Sequence, residues 1–350
     1  MLFRFVGFIY LKFIFLIFIA LQIFFMGIDI LKYSDNLPES ANLFVLFIAY
    51  DFLYALNYTF PIATLLASIV TYIMLIKSNQ LTAILSIGYS KKNILFPILL
   101  ISIILNLFYI GLNATPFVYA QENIDNIIQR GGINDAKTDI LVKHNNNYVY
   151  IGKIFPILQK AENIKVFETE GLFVNRFIES SEAQFDGTWW NLKTATITSI
   201  PKNLEFNKDN LKIQEVQNYQ ILKNFKPKIL DTIYQNKPNV SITDAFNAFI
   251  LLSNQDSSTD KIRSILYSFI AIPFSIPFSI IIISFYVPNL LRYTNLAKLG
   301  FIFVLFCLII WGLFFMLTKL SISGFLFPEV GVIIPLILFI SISLYYYKQI

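Results

Sequence analysis

Six long stretches of the chain carry no charged side chain: Phe13 to Ile28, Phe52 to Ile76, Asn93 to Gln121, Ser264 to Leu291, Leu299 to Thr318 and Val330 to Tyr347. A helix needs about 20 mostly apolar residues to cross a bilayer, so the pattern predicts six transmembrane helices. The first stretch is short, but Lys12 reaches the headgroups by snorkelling and Asp29 marks the far edge, so a helix from about Tyr10 to Leu31 suffices. It has no small-residue cleavage signature before Asp29 and reads as a retained anchor.

Between the third and fourth stretches the period changes to two. Alternation is clearest in Tyr148-Val149-Tyr150-Ile151, Ile164-Lys165-Val166-Phe167, Leu172-Phe173-Val174 and Thr194-Ala195-Thr196-Ile197-Thr198. Turn signals separate these runs: Gly131-Gly132, Asn145-Asn146-Asn147, Asp186-Gly187 and Pro201-Lys202-Asn203. Regular short strands predict a sandwich or barrel. Ser241 to Leu252, with Ser241 as N-cap and Asp244 in the first turn, predicts a helix leading back to the membrane. The expected fold is an α-helical membrane protein, six transmembrane helices arranged 3+3 around an inserted all-β domain. Its expected divisions are residues 1–121, 122–262 and 263–350, with a short helix at about 79–88 in the first.

Charge gives the layout a direction. Only 14% of residues are charged and 56% are apolar, whereas a soluble domain is about 25% charged. Of 27 basic and 22 acidic residues, 17 of each lie between Glu122 and Arg263, so the inserted segment is neutral and the +5 excess belongs to the membrane parts. A charge this small and so placed points to membrane orientation and not to nucleic acid. With the N-terminus in the cytoplasm, Arg4, Lys12, Lys77, Lys91, Lys92, Arg292, Lys298 and Lys348 lie inside, and only Lys32 and Lys319 outside. Both termini are then cytoplasmic and the β domain extracytoplasmic.

Little in the sequence carries catalysis. One cysteine, Cys307, and one histidine, His144, exclude an internal disulfide and the usual Cys/His metal sites. No Gly-x-x-x-x-Gly-Lys-Ser/Thr occurs, so the chain has no P-loop of its own. Catalytic, cofactor and metal sites are all expected to be absent. Within the membrane, Asp29 reads as an interfacial residue paired with Lys32 at i,i+3, against a proton relay, and Asp51 as a residue near the interface ahead of the second span. Pro273 and Pro277, four residues apart in the fourth span, free carbonyls and permit bending, as a static kink or a moving hinge.

The loop between spans two and three says more. Asn79 to Ser90 places Leu81, Ile84 and Leu85 at i, i+3 and i+4 before a Gly88 stop, the pattern of a short amphipathic helix. That helix either lies in lipid or docks its apolar stripe into a groove of a cytoplasmic ATPase.

These residues, in this order, resemble the LptF/LptG (YjgP/YjgQ) permeases that extract lipopolysaccharide from the bacterial inner membrane. The similarity runs through Gly27-Ile28-Asp29-Ile30-Leu31-Lys32, Phe60-Pro61-Ile62-Ala63-Thr64-Leu65-Leu66 and Ser78 to Ser90. The last resembles the family's Ser-Glu-Leu-x-x-x-x-Ala/Ser-x-Gly-x-Ser signature, with Leu81, Gly88 and Ser90 in register and Gln80 in place of the usual acidic residue. Trp189 or Trp190 with Leu192 resembles the Trp-x-Leu strand of the periplasmic domain, and Pro273, Pro328 and Pro335 stand where the family carries prolines. The spacing from Asp29–Lys32 to Phe60-Pro61 looks more like LptG than LptF, although Met26 stands where some LptG members carry another basic residue.

The resemblance implies a transport permease and not an enzyme, with a β-jellyroll-like periplasmic domain. The implied partners are an LptB-like ATPase dimer, a homologous LptF-like six-span subunit, an LptC-like periplasmic protein and lipopolysaccharide itself. It casts Gln80, Leu81, Ile84, Leu85 and Gly88 as the ATPase-coupling segment, Lys32 as a substrate-phosphate contact whose alternative is a plain interfacial anchor, and Asp29, Pro273 and Pro277 as gate or interface residues. Spans one and five are the implied lateral gates. A membrane-embedded enzyme acting on lipid-linked glycans would need clustered polar groups at the outer interface, which the sequence almost lacks. A mechanotransmission-type ABC permease usually has four spans.

Overall fold

The computed structural model describes residues 1–130, 137–144, 147–155, 159–170, 173–201, 211–223, 225, 240–253, 259–289 and 295–350. Contacts divide the chain into a helical unit (Met1–Gln129, Ser241–Phe246 and Thr259–Ile350) and a β unit (Arg130–Val240 and Asn247–Ser258). Leu172, Gly131-Gly132, Asn145-Asn146, Lys202-Asn203 and Arg292, all used above, lie outside the described residues.

Among the described residues six helices are long and apolar enough to cross a membrane: Leu2–Lys32, Ala41–Lys77, Lys91–Asn113, Asp260–Tyr286, Leu296–Ile322 and Glu329–Gln349. We label the first two α1 and α2, Gln80–Ser86 α3, Lys91–Asn113 α4 and Ala120–Arg130 α5. After the β unit come α6 (Ile242–Ser253), α7 (Asp260–Ile270), α8 (Ser275–Tyr286), α9 (Leu296–Ile322) and α10 (Ile334–Gln349). The fourth span is thus α7 and α8 joined by a 3₁₀ turn at Ile272–Phe274, just where Pro273 and Pro277 remove two helical donors.

Several boundaries differ from the uncharged runs, for physical reasons. Helix α2 begins at Ala41, eleven residues before the run at Phe52. Its first turns bury Phe47 against Ile124 and Ile127 of α5, so Asp51 lies within the second helix and not ahead of it, and is fully buried. Packing of α5 on α2 also carries the helical unit to Gln129, past the change in charge density. Helix α4 stops at Asn113 and not at Gln121, because Thr115-Pro116 opens a new 3₁₀ turn in which the Thr115 hydroxyl caps the Phe117 amide. Asn295 caps α9, accepting from Ala297 and Lys298 amides at 3.1 and 3.2 Å.

The β unit contains one six-stranded antiparallel sheet in the order β1-β2-β3-β4-β5-β6. Its strands are Lys137–His144, Asn147–Phe155, Lys160–Glu170, Phe173–Phe185, Trp190–Ser199 and Lys212–Ile221. Among the described residues this is a plain meander, without the crossings between sheets of a sandwich. The buried face holds Val149, Ile151, Ile164, Val166, Ile178, Trp190, Leu192 and Ala195. Trp190 is the tryptophan that enters the core, where its indole N–H donates to the Phe225 carbonyl at 2.7 Å. Trp189 stays outside, under Lys223. The Asp186-Gly187 turn forms as expected: the Asp186 carboxylate accepts from Thr188 and Trp189 amides, which hold its pKa below the ordinary carboxylate value.

One line of residues crosses the sheet and exchanges which alternate positions are buried. In β2 the buried set steps from Val149 and Ile151 to Ile154, in β3 from Ala161 to Ile164, in β4 from Ser180 to Ala183 and in β5 from Leu192 to Ala195. On that line Asp139, Asn163 and Asn218 have φ of 57°, 55° and 55°, the left-handed region that Asn and Asp tolerate best among residues with a Cβ. Asn163 lies opposite Gly152, where a Cβ would sit 3.0 Å from that of Asn163. The switch keeps the buried face apolar on both sides of that line. Asn163→Val should destabilise the β unit by about 1–2 kcal/mol while Asn163→Gly is nearly neutral, as read from tryptophan fluorescence during urea unfolding of the detergent-solubilised chain.

Candidate functional site

Helix α3 opens after Asn79, whose φ of 56° turns the chain out of α2. It closes on Gly88, φ +98°, with the Gly88 amide on the Leu85 carbonyl and the Tyr89 amide on the Ile84 carbonyl. This Schellman closure is the stop that the glycine announced. The stripe, however, faces inward. Leu81 is 1% exposed and belongs to the bundle core, with Ile84 and Leu85 packed against it. Leu81 anchors α3 to its own subunit, and Ile84 and Leu85 stay half-buried beside it. Exposed on the other side are Ala83, Ser86, Gly88 and, above all, Ile87 and Tyr89, at 76% and 43%; Gln80 is half-buried.

Two side chains fasten this segment to the end of α8. The Thr82 hydroxyl donates to the Asn289 carbonyl at 3.0 Å, and the half-buried Lys91 ammonium donates to the Val287 carbonyl at 2.7 Å. Val287 ends α8, so Lys91 places its charge where a helix C-terminus favours a cation. These two bonds tie the α3 turn and the start of α4 to the end of the proline-broken fourth span.

At the opposite ends of α1 and α2 lie Asp29, Lys32 and Asp51. Lys32 is exposed; its ammonium donates to the Tyr33 hydroxyl at 2.9 Å and sits 4.4 Å from that ring's centre. The expected i,i+3 ion pair with Asp29 is replaced by this tyrosine contact, although Asp29 and Asp125 both lie within electrostatic reach of the ammonium. Asp51 is buried near Asp29 and Lys32, with neither carboxylate oxygen in a hydrogen bond. Outside the spans, the Tyr119 hydroxyl donates to the Asp244 carboxylate, and burial beside that carboxylate raises the phenol's pKa.

Other polar contacts within the helical unit were invisible to the hydropathy pattern. Gln22 of α1, 3% exposed, donates to the Phe52 carbonyl and accepts from the Thr59 hydroxyl of α2 at 2.7 Å. Arg263 bridges Asp260 and Glu329 at 2.5 and 2.6 Å, joining α7 to the π-helical turn that begins the sixth span. Beside it the hydroxyls of Ser264 and Ser321 meet at 2.7 Å. Single polar residues in an apolar run were the available signal, but nothing in one sequence says which helix each will face.

A cavity of about 90 Å³ lies between α2, α8 and α9, lined by Pro61, Leu65, Ile276, Cys307 and Trp311 among others. The site is thus a bundle with a fastened α3 turn at one end, an exposed lysine at the other, and two proline-bearing helices flanking an apolar space between. A family model described as the lipopolysaccharide export system permease LptF/LptG matches residues 4–349. The chain belongs to the LptF/LptG family. None of the curated proteins compared with it matches.

Membership makes the chain a transport permease, with the six apolar helices and β unit of its fold matching that class. For an LptF/LptG member the thin cover of α1 matters, because its buried polar ties to α2 among the described residues are those of Gln22 and of the Tyr10 hydroxyl, which donates to the Thr64 carbonyl at 3.0 Å. Gln22→Leu should loosen α1 by about 1 kcal/mol, lowering the thermal unfolding midpoint in detergent; an unchanged midpoint would mean the clamp contributes nothing net.

Proposed function

We propose that this chain is one of two membrane subunits of an ATP-driven exporter that lifts lipopolysaccharide out of the inner membrane. The family match over residues 4–349 carries the reading. Extraction of such a substrate exposes acyl chains at about 0.8 kcal/mol per CH₂, so both work and shelter are needed. With no P-loop in the sequence, the work comes from a separate LptB-like ATPase dimer.

Burial supports a shared cavity. Only 11% of the most apolar stretch of α1 and 17% of that of α9 are buried in the isolated chain, against 61% for α2. Spans one and five are accordingly the faces that a homologous six-span subunit and the substrate cover, and they serve as lateral gates. Lys32, exposed beside Asp29, meets the lipid phosphates at the outer rim. The basic-residue bias places both termini in the cytoplasm and the β unit in the periplasm, where it passes acyl chains to an LptC-like protein. Proline breaks at Pro273 and Pro277 place a bend in the helix that the α3 turn pulls on. The spacing of Asp29–Lys32 ahead of Phe60-Pro61 favours the LptG branch.

The inward stripe moves the ATPase contact to the outer side of the α3 turn, on Ile87 and Tyr89, with Gln80 at its edge and Gly88 shaping it. Ile87→Asp and Tyr89→Asp should each abolish co-purification of a P-loop ATPase without lowering the chain's unfolding midpoint. Leu81→Ala should instead cost about 2–5 kcal/mol of stability. An ATPase that stays bound to both aspartate variants rules out this docking surface, and a purified complex with no nucleotide-hydrolysing subunit and no bound amphiphile rules out the exporter.

A further inference from the structure

Helix α4 carries two polar side chains one turn apart, Asn106 and Tyr109, and each reaches a carbonyl next to a proline on a different span. The Tyr109 hydroxyl donates to the Asn57 carbonyl of α2 at 3.2 Å. Asn57 stands four residues before Pro61, so its carbonyl has lost its helical N–H donor. The Asn106 amide, 3% exposed, donates to the Pro273 carbonyl at 2.6 Å. Pro273 stands four residues before Pro277 and has lost its donor in the same way. The Ser275 amide, whose 3₁₀ bond goes to the Ile272 carbonyl, also touches the Pro273 carbonyl from two residues on, and the amide of Asn106 takes the place of the missing i+4 donor. Stacking of Tyr109 on Phe60, with ring centres 5.9 Å apart, holds the phenol in register. Pro61 and the turns beside Pro273 face the cavity that α9 closes.

We propose that Asn106 and Tyr109 are positioning residues: one face of α4 supplies the donors that Pro61 and Pro277 deleted, and so fixes the bends of α2 and α8 around the cavity beside α9. In hydrocarbon a carbonyl without a donor has no water to turn to, so the bends persist only while α4 stays docked. The device ties two proline-bearing helices to one face of α4, formed two to three turns beyond its own Pro97, and α2 and α8 change angle together when α4 moves. Its use in transport rests on the exporter reading; its existence does not.

Cys307 lines this cavity, is 6% exposed, and is the sole cysteine of the chain, so its reaction with N-ethylmaleimide reports how often the cavity opens. In the detergent-solubilised full chain, Tyr109→Phe and Asn106→Leu should each speed labelling roughly tenfold, the size expected of an unsatisfied buried polar group. Pro61→Ala should restore the slow rate to Tyr109→Phe, and Pro277→Ala to Asn106→Leu, because the new backbone N–H takes over the carbonyl. Exchanged pairs, Tyr109→Phe with Pro277→Ala and Asn106→Leu with Pro61→Ala, should stay fast. A residue that merely fills space would not be rescued by removing a proline. Equal labelling in Tyr109→Phe and wild type overturns the α2 arm, and rescue by the wrong proline, or by neither, overturns the brace as a whole. Lipid release by the reconstituted complex is measured in parallel: no release by the wild type counts against the exporter reading alone, while the labelling pattern still decides the brace.

Discussion

A membrane offers the backbone no water, and the rest of this fold follows from that. Every helical carbonyl in the bilayer must find its donor within the protein, yet this chain carries Pro61, Pro97, Pro273 and Pro277 within its spans. The α2 and α8 interruptions are met from a third helix, by the Tyr109 hydroxyl and the Asn106 amide. Some polar residues of the bundle thus stand where the regular ladder fails, and others where two helices share a directional tie, as Gln22 does between α1 and α2.

The second organising feature is unequal burial. α2 runs through the helical unit as its best-covered element, while α1 and α9 present most of their apolar surface outward. Lipid tails are as apolar as leucine, so exposure there carries little cost, and association depends on packing and on polar ties. Helices held by few such ties separate most readily, which suits gates. Lys91 and Thr82 add a stiff joint at one end, because the segment leaving α3 grips the last carbonyls of α8.

The β unit solves a different problem. Along each of β2, β3, β4 and β5 the positions that point inward change once while the buried face stays apolar. Asp139, Asn163 and Asn218 adopt positive φ on the first, third and sixth strands of that line, with Gly152 making room for Asn163. Asn, Asp and Gly are the residues for which that conformation costs least.

The sequence by itself determined that there are six spans, that a neutral strand-rich segment divides them three and three, that Gly88 ends a short helix, and that prolines interrupt span four. These rest on local physics, namely hydropathy over a window, period-two alternation, and the conformations of glycine and proline. Tertiary structure decided what depends on partners distant in sequence. It turned Leu81 inward to the bundle, leaving Ile87 and Tyr89 outside. It buried Asp51 by extending α2 under α5, chose Trp190 over Trp189 for the core, and gave Lys32 a tyrosine partner in place of Asp29. It also paired Asn106 and Tyr109 with carbonyls 167 and 52 residues away. An amphipathic stripe tells which side of a helix is apolar, and a lone amide tells that a bond is wanted; only the packed chain supplies the surface or the acceptor that meets it.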